Sequence, residues 1–230
     1  MSEDFPEKTK IFVVAIDGPA ASGKGTLARD LADILGYAYL DTGALYRAAA
    51  LEVLRAGGSC ADEDDAERGA GALRAKIESG GQDAALSNPD LRNDAVAQGA
   101  SKVAAIPAVR EALIGLQREF AQNPGGYNGC VLDGRDIGTV ICPEADVKLF
   151  VTADQGIRAE RRMKELQSKG IDATYEAVLA DMRTRDGRDS GRRAAPLRPA
   201  EGSVVLDTTD LSAAEALAEA LRIVKQTLDV

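Results

Sequence analysis

The chain has 230 residues, 45% of them hydrophobic, and a formal net charge of −9. That suits one α/β core with inserts and argues against broad nucleic-acid binding, which needs a basic face. The absence of histidine excludes His-based triads, histidine general bases and His-ligated zinc. Three scattered cysteines, Cys60, Cys130 and Cys142, fit reduced thiols. No apolar run approaches the ~20 residues of a membrane span, and the polar residues 1–10 lack the apolar centre of a signal peptide. A cytoplasmic protein without membrane partners is expected.

Residues 11–16 (IFVVAI) are a continuous, β-branched apolar run and predict a buried strand of a parallel sheet. The glycine-rich segment Gly18-Pro19-Ala20-Ala21-Ser22-Gly23-Lys24-Gly25-Thr26 follows. Lys24–Leu35 then places Leu27, Leu31, Ile34 and Leu35 at helical spacing. Strand, loop and helix stand in the order of a phosphate-binding βα unit. Gly18 makes the turn off the strand, and Gly23 lets the backbone approach phosphate closely. Successive N–H groups then form an anion nest at the positive end of the helix. Lys24 adds a cation for the β/γ-phosphates of a nucleotide. Glycine stands at position 25, where the general pattern G-x(4)-G-K-[ST] has a hydroxyl. Thr26, one residue later, is therefore the candidate for reaching Mg²⁺.

Four more short apolar runs, 38–40, 130–132, 147–151 and 203–206, predict strands, and Asp41, Asp133 and Asp207 follow three of them. Pro107 suits the first turn of a helix carrying Val109, Leu113, Leu116 and Phe120. Ser212 and Glu215 form a possible capping box for a C-terminal helix with Leu217, Leu221, Val224 and Leu228 on one face. Alternating strands and helices imply a doubly wound, five-stranded parallel sheet built from residues 1–56, 100–154 and 200–230. Two stretches break the alternation. Residues 57–99 are polar, with an acidic cluster and Gly-Gly pairs, and read as an insert with short strands. Residues 155–199 read as two charged helices joined at Lys169-Gly170, followed by an arginine-rich loop, together a mobile lid.

Arginines outnumber lysines 19 to 9, and nine of them lie between Arg158 and Arg198. In an acidic protein, this density points to a small anion gripped by planar, bidentate guanidinium groups. Phosphoryl transfer requires two phosphates in line with cations around the transferring group. A phosphate loop alone fits an ATPase, a GTPase or a kinase, so the acceptor side decides. Arg47 follows the second strand and Arg135 the third, both at carboxyl ends where ligands bind. Asp133 has a place near a metal. Arg185, Arg188 and Arg192 would neutralise a transition state when the lid closes.

Taken together, GPAASGKGT, LDTGALYR, SKVAAIPAVREAL, LDGRDIGTV and RDGRDSGRRAAPL resemble the bacterial cytidylate kinases over nearly the whole chain. The resemblance implies a P-loop nucleoside-monophosphate kinase that uses ATP and Mg²⁺ to phosphorylate CMP and dCMP. Residues 18–26 would bind ATP, and Lys24, Arg135 and Arg192 would act in catalysis. Arg47, Arg135 and Arg192 would surround the acceptor phosphate, with Thr42 positioning it. Ser101, Arg110 and Asp136 would read cytosine, and Arg185 and Asp189 would hold the sugar. Arg188 and Arg161 would contribute from the lid. Thr26 and Asp133 would hold the metal. Thr42 stands where many relatives have serine, which keeps the hydroxyl.

The base chemistry agrees with that implication. Asp136 can accept from cytosine's amino group, and Arg110 can donate to its ring acceptors. Uracil reverses that donor pattern and would leave buried groups unpaired, at ~1–3 kcal/mol each. The rivals are a P-loop kinase for UMP, AMP or a non-nucleotide, and a slow nucleotide switch. The sequence has no N-K-x-D guanine-reading motif, and its lid carries more arginine than a switch needs. A monomer is expected.

Overall fold

Apolar runs without polar alternation must be covered on both faces, and the sheet shows how. A computed structural model describes residues 10–192 and 194–228. Most of the polar N-terminal stretch, and Arg193 in the arginine-rich motif, lie outside the described residues. Five strands form: β1 (Phe12–Asp17), β2 (Ala38–Asp41), β3 (Gly129–Gly134), β4 (Val147–Thr152) and β5 (Val204–Asp207). All pair in parallel, in the order β2-β3-β1-β4-β5.

On one face, Val14, Ile16, Val131 and Leu149 pack against Leu31 of α1 (Lys24–Leu35) and Val224 of the C-terminal helix (Ala213–Leu228). On the other, Ala15, Leu40 and Leu132 meet Ile137 and Ala121, the latter near the end of the helix Pro107–Gln122. Every residue of β3 is buried. From β1 the chain goes to the edge strand β2, returns to β3 beside β1, and then crosses to β4 and β5 on the other side, so connections leave the middle of the sheet in opposite directions and a crevice opens at the strands' carboxyl ends.

The short strands expected within residues 57–99 do not form; the segment is helical. α2 (Thr42–Arg55) leads into α3 (Glu63–Gly80), α4 (Gln82–Leu86), a 3₁₀ turn at Pro89–Arg92 and α5 (Asp94–Val103). The acidic cluster is a helix start. The Asp62 side chain accepts from the Asp65 N–H, and Glu63, Asp64 and Asp65 sit in the first turn, where negative charge favours the helix dipole. The apolar residues of this region pack on α2 and α6 (Pro107–Gln122) rather than on the sheet, which removes the period-2 signal of a strand. A side chain at Gly69 would meet Val53 Cγ2 at 2.4 Å, so the bare glycine sets how closely α3 crosses α2.

Residues 155–190 form α7 (Gln155–Ser168) and α8 (Tyr175–Ser190). They share a small core of Ala159, Leu166, Val178 and Met182, against which Ala21 of the glycine-rich loop packs. The last helix in chain order is α9 (Ala213–Leu228), capped by the predicted Ser212–Glu215 exchange: Ser212 N donates to Glu215 Oε2, and Glu215 N to Ser212 Oγ.

Candidate active site

The glycine-rich loop leaves β1 with the Pro19, Ala20 and Ser22 carbonyls each accepting from a side chain. Gly18 passes so close to β4 that a Cβ there would lie 2.0 Å from the Val151 carbonyl oxygen. Ala21 and Gly23 adopt positive φ of 57° and 87°, the alternation that gathers successive N–H groups into a nest. The Ala20 carbonyl accepts from Arg158 Nη1 at 3.2 Å, and the Ser22 carbonyl from Thr208 Oγ1 at 3.0 Å. α1 begins at Lys24 with no acidic residue in its first turn, so its positive end is left for an anion. Lys24 Nζ reaches back to the Pro19 carbonyl at 3.4 Å. Burial, reinforced by Arg135, lowers the Lys24 pKa to about 7. An anion arriving there restores its charge.

Beside the loop, a cavity of about 230 Å³ opens at the ends of β2 and β3. Six cationic side chains line it, Lys24, Arg47, Arg110, Arg135, Arg185 and Arg192, against four carboxylates. The excess of positive charge, backed by α1, fits a ligand carrying phosphate.

Each lining group is placed by a local device. Asp41 caps α2 through the Ala44 N–H at 3.1 Å and grips Arg47 at 2.5 Å. Thr42 Oγ1 donates to the Asp133 carbonyl at 2.7 Å, joining the ends of β2 and β3. Tyr39 Oη donates to Asp133 Oδ1 at 3.3 Å. Burial, with Asp41 close by, raises the Asp133 pKa to about 6. Arg110 and Asp136, both buried, form an ion pair. Arg135 Nε donates to Asp189 Oδ2 at 3.0 Å, and Arg192 pairs with the other oxygen of the same carboxylate. Burial would raise the Asp189 pKa, but Arg135, Arg192 and Arg185 together hold it below the usual carboxylate range. Among the described residues Arg185 makes no ion pair, and its Nε is buried without a partner. Burial, with Arg135 nearby, lowers its pKa to about 10. It is the guanidinium in the cavity with the most to gain from an anion.

A scan against protein-family models matches residues 14–226 to Cytidylate kinase. The chain belongs to the cytidylate kinase family. It is 58% identical over 212 residues to a cytidylate kinase of Paramagnetospirillum magneticum, covering 92% of this chain and 97% of that protein. A cytidylate kinase of Rhodospirillum rubrum is 54% identical, with 92% and 96% covered. Among solved structures, TT1252 from Thermus thermophilus aligns over 95% of this chain and 98% of its own, at 20% identity and a TM-score of 0.50, a likeness of fold.

Within this family member, the cavity brings together Lys24, Gly25, Thr42, Arg47, Ser101, Arg110, Asp133, Arg135, Asp136, Arg185, Asp189 and Arg192. Three expected residues stand apart. Arg188 does not line the cavity; it donates to Ser101 Oγ at 2.7 Å and so orients a residue that does. Thr26 is exposed on the first turn of α1, outside the cavity lining. Arg161, expected to act from the lid, donates instead to Thr208 Oγ1 and to the Thr208 carbonyl, at 3.0 and 2.7 Å.

Sequence reasoning missed Asp41 and Tyr46 as lining residues. It also missed Arg158, which ties the Ala20 carbonyl to Asp186 of α8. Asp41 and Tyr46 both lie inside the LDTGALYR motif, Asp41 as the N-cap of α2 and Tyr46 within the helix. Nothing local distinguishes Arg158 from the eight other arginines of its stretch.

Proposed function

We propose that the protein transfers the γ-phosphoryl group of ATP to CMP and dCMP, giving CDP and dCDP, and so serves pyrimidine nucleotide metabolism. The observation that carries this reading is the position of Lys24. It belongs to the phosphate loop and also lines the cavity that holds the Arg110–Asp136 pair. A donor triphosphate on residues 18–26 and an acceptor nucleotide in the cavity would meet at that side chain.

Arg110 and Asp136 read cytosine, Asp136 accepting from the amino group and Arg110 donating to the ring, with Ser101 beside them. Asp189 and Arg185 hold the sugar, while Thr42, Arg47, Arg135 and Arg192 surround the acceptor phosphate. Lys24, Arg135 and Arg192 then meet the charge that develops on the transferring group. The acceptor phosphate is already anionic at neutral pH, so no general base is needed. Residues 57–99 support the acceptor side, and 155–199 act as the lid, with Arg188 contributing through Ser101.

The site fits Mg²⁺ as well as ATP. The Asp133 carboxylate comes so close to Gly25 that a Cβ there would lie 3.3 Å from Asp133 Oδ2, and the exposed Thr26 hydroxyl follows on the same helix turn. No cluster of three or more metal-ligating side chains occurs among the described residues. Mg²⁺ is commonly held by one or two protein oxygens together with phosphates and water, which Asp133 and Thr26 could supply. Bound there, the ion would neutralise phosphate charge. No helix among the described residues is long and apolar enough to cross a membrane; the protein is taken as a cytoplasmic monomer.

A coupled assay with ATP and Mg²⁺ across CMP, dCMP, UMP and AMP tests the reading, with CMP and dCMP expected to be preferred. Asp136→Ala is expected to shrink the CMP-over-UMP preference about tenfold while ATP affinity holds. A wild type that consumes ATP without phosphorylating any acceptor would overturn the kinase reading.

A further inference from the structure

One buried carboxylate, Asp17, lies outside the cavity lining. Asp17 ends β1, immediately before Gly18, and is 3% exposed. Its two oxygens accept from two successive backbone N–H groups, Oδ1 from Ile137 and Oδ2 from Gly138, each at 2.8 Å. Strand pairing between β1 and β3 stops at Asp17 and Gly134. Arg135 and Asp136 therefore project from a stretch outside the ladder. Gly134 anchors it on one side and the Asp17 carboxylate on the other, where a wide helical turn, Ile137–Ile141, begins.

We propose that Asp17 is a positioning residue: by holding the backbone at 137 and 138 it fixes the phosphate-binding Arg135 and the base-reading Asp136 relative to the phosphate loop that starts at Gly18. The inference rests on the kinase reading above and adds a part to it. A carboxylate suits the task because it offers an acceptor to each N–H. An asparagine offers one oxygen and would set its NH₂ against the other donor. Burial pushes the Asp17 pKa up to about 6 against the pull of those two hydrogen bonds. The charge is thus kept at a cost to the fold, as expected of a group retained for the site.

The test is Asp17→Asn in the full chain. Steady-state kinetics would be run with CMP and UMP at saturating ATP, alongside ATP affinity and Tm. The KM for CMP is expected to rise about tenfold and the CMP-over-UMP preference to shrink, with ATP affinity retained. An unchanged preference, or ATP and CMP affinities falling together in step with Tm, would reduce Asp17 to a core contact and overturn the proposal. If the variant does not fold, amide hydrogen exchange on the wild type decides. The Ile137 and Gly138 amides should be strongly protected, and fast exchange at both would remove the tether. A wild type inactive on every monophosphate marks failure of the kinase reading; an active wild type with unmoved selectivity in Asp17→Asn marks failure of this inference alone.

Discussion

The phosphate loop and the acceptor cavity both present positive charge to phosphate, and they are built in opposite ways. The loop is one contiguous segment, residues 18–26, whose donors are backbone N–H groups and one lysine. Its geometry follows from two positive-φ residues and from carbonyls held by Arg158 and Thr208. The cavity is assembled from the ends of β2 and β3, from α2, α5, α6 and α8, and from Arg192. Its donors are guanidinium groups, and all of those lining the cavity except Arg185 are held by a carboxylate among the described residues. Asp41 holds Arg47, Asp136 holds Arg110, and Asp189 holds both Arg135 and Arg192. Backbone dipoles can stand ready without counter-charge. Side-chain cations are kept in place by carboxylates that an incoming ligand must share or replace.

That contrast can be broken most sharply at Lys24, where the two regions meet. Lys24→Ala is expected to lower kcat by on the order of 10³, with CMP binding retained, because it removes charge where the transferring group passes. Wild-type-like kcat in a coupled assay would separate the loop from catalysis. Asp189→Ala addresses the cavity alone. Losing the shared anchor of Arg135 and Arg192 should cost about 100-fold in kcat/KM for CMP, and ATP affinity should not move. An equal loss on the ATP side would mean the two regions are not separable.

A smaller effect sharpens the comparison through stability. Asp133 has a pKa raised from 3.8 to about 6 by burial and by Asp41. The folded state therefore takes up this proton before the unfolded chain does. The penalty of the buried charge is full above pH 6 and disappears as pH falls toward 4. Asp133→Asn should stabilise the fold at pH 8 by about 2 kcal/mol, and less at pH 5, in urea unfolding curves. A difference independent of pH would show that the carboxylate's charge is not what burdens the fold.

The two regions also differ in how far they could be read before folding. The loop was legible because its function is carried by neighbours in sequence. Glycines at fixed offsets and a following amphipathic helix suffice to specify an anion nest. The individual cavity residues were legible only as motif members. Arg188 donates to Ser101 and Arg161 to Thr208, contacts that no local pattern announced. The acidic cluster at Asp62–Asp65 looked like an irregular insert because a capped helix that packs on other helices has no strand-like alternation.

By itself, the amino-acid order determined the five strands, the glycine-rich turn and the capped last helix, since each follows from apolar patterning, φ preference or capping within a few residues. Only the tertiary structure decided which of nineteen arginines face one cavity and which carboxylate restrains each. It also placed Asp17 across the sheet from residues 137 and 138, 120 and 121 positions away in the chain. Those pairings are set by strand order and helix packing. Coulomb forces and hydrogen bonds act on distance in space, which no local pattern of residues records.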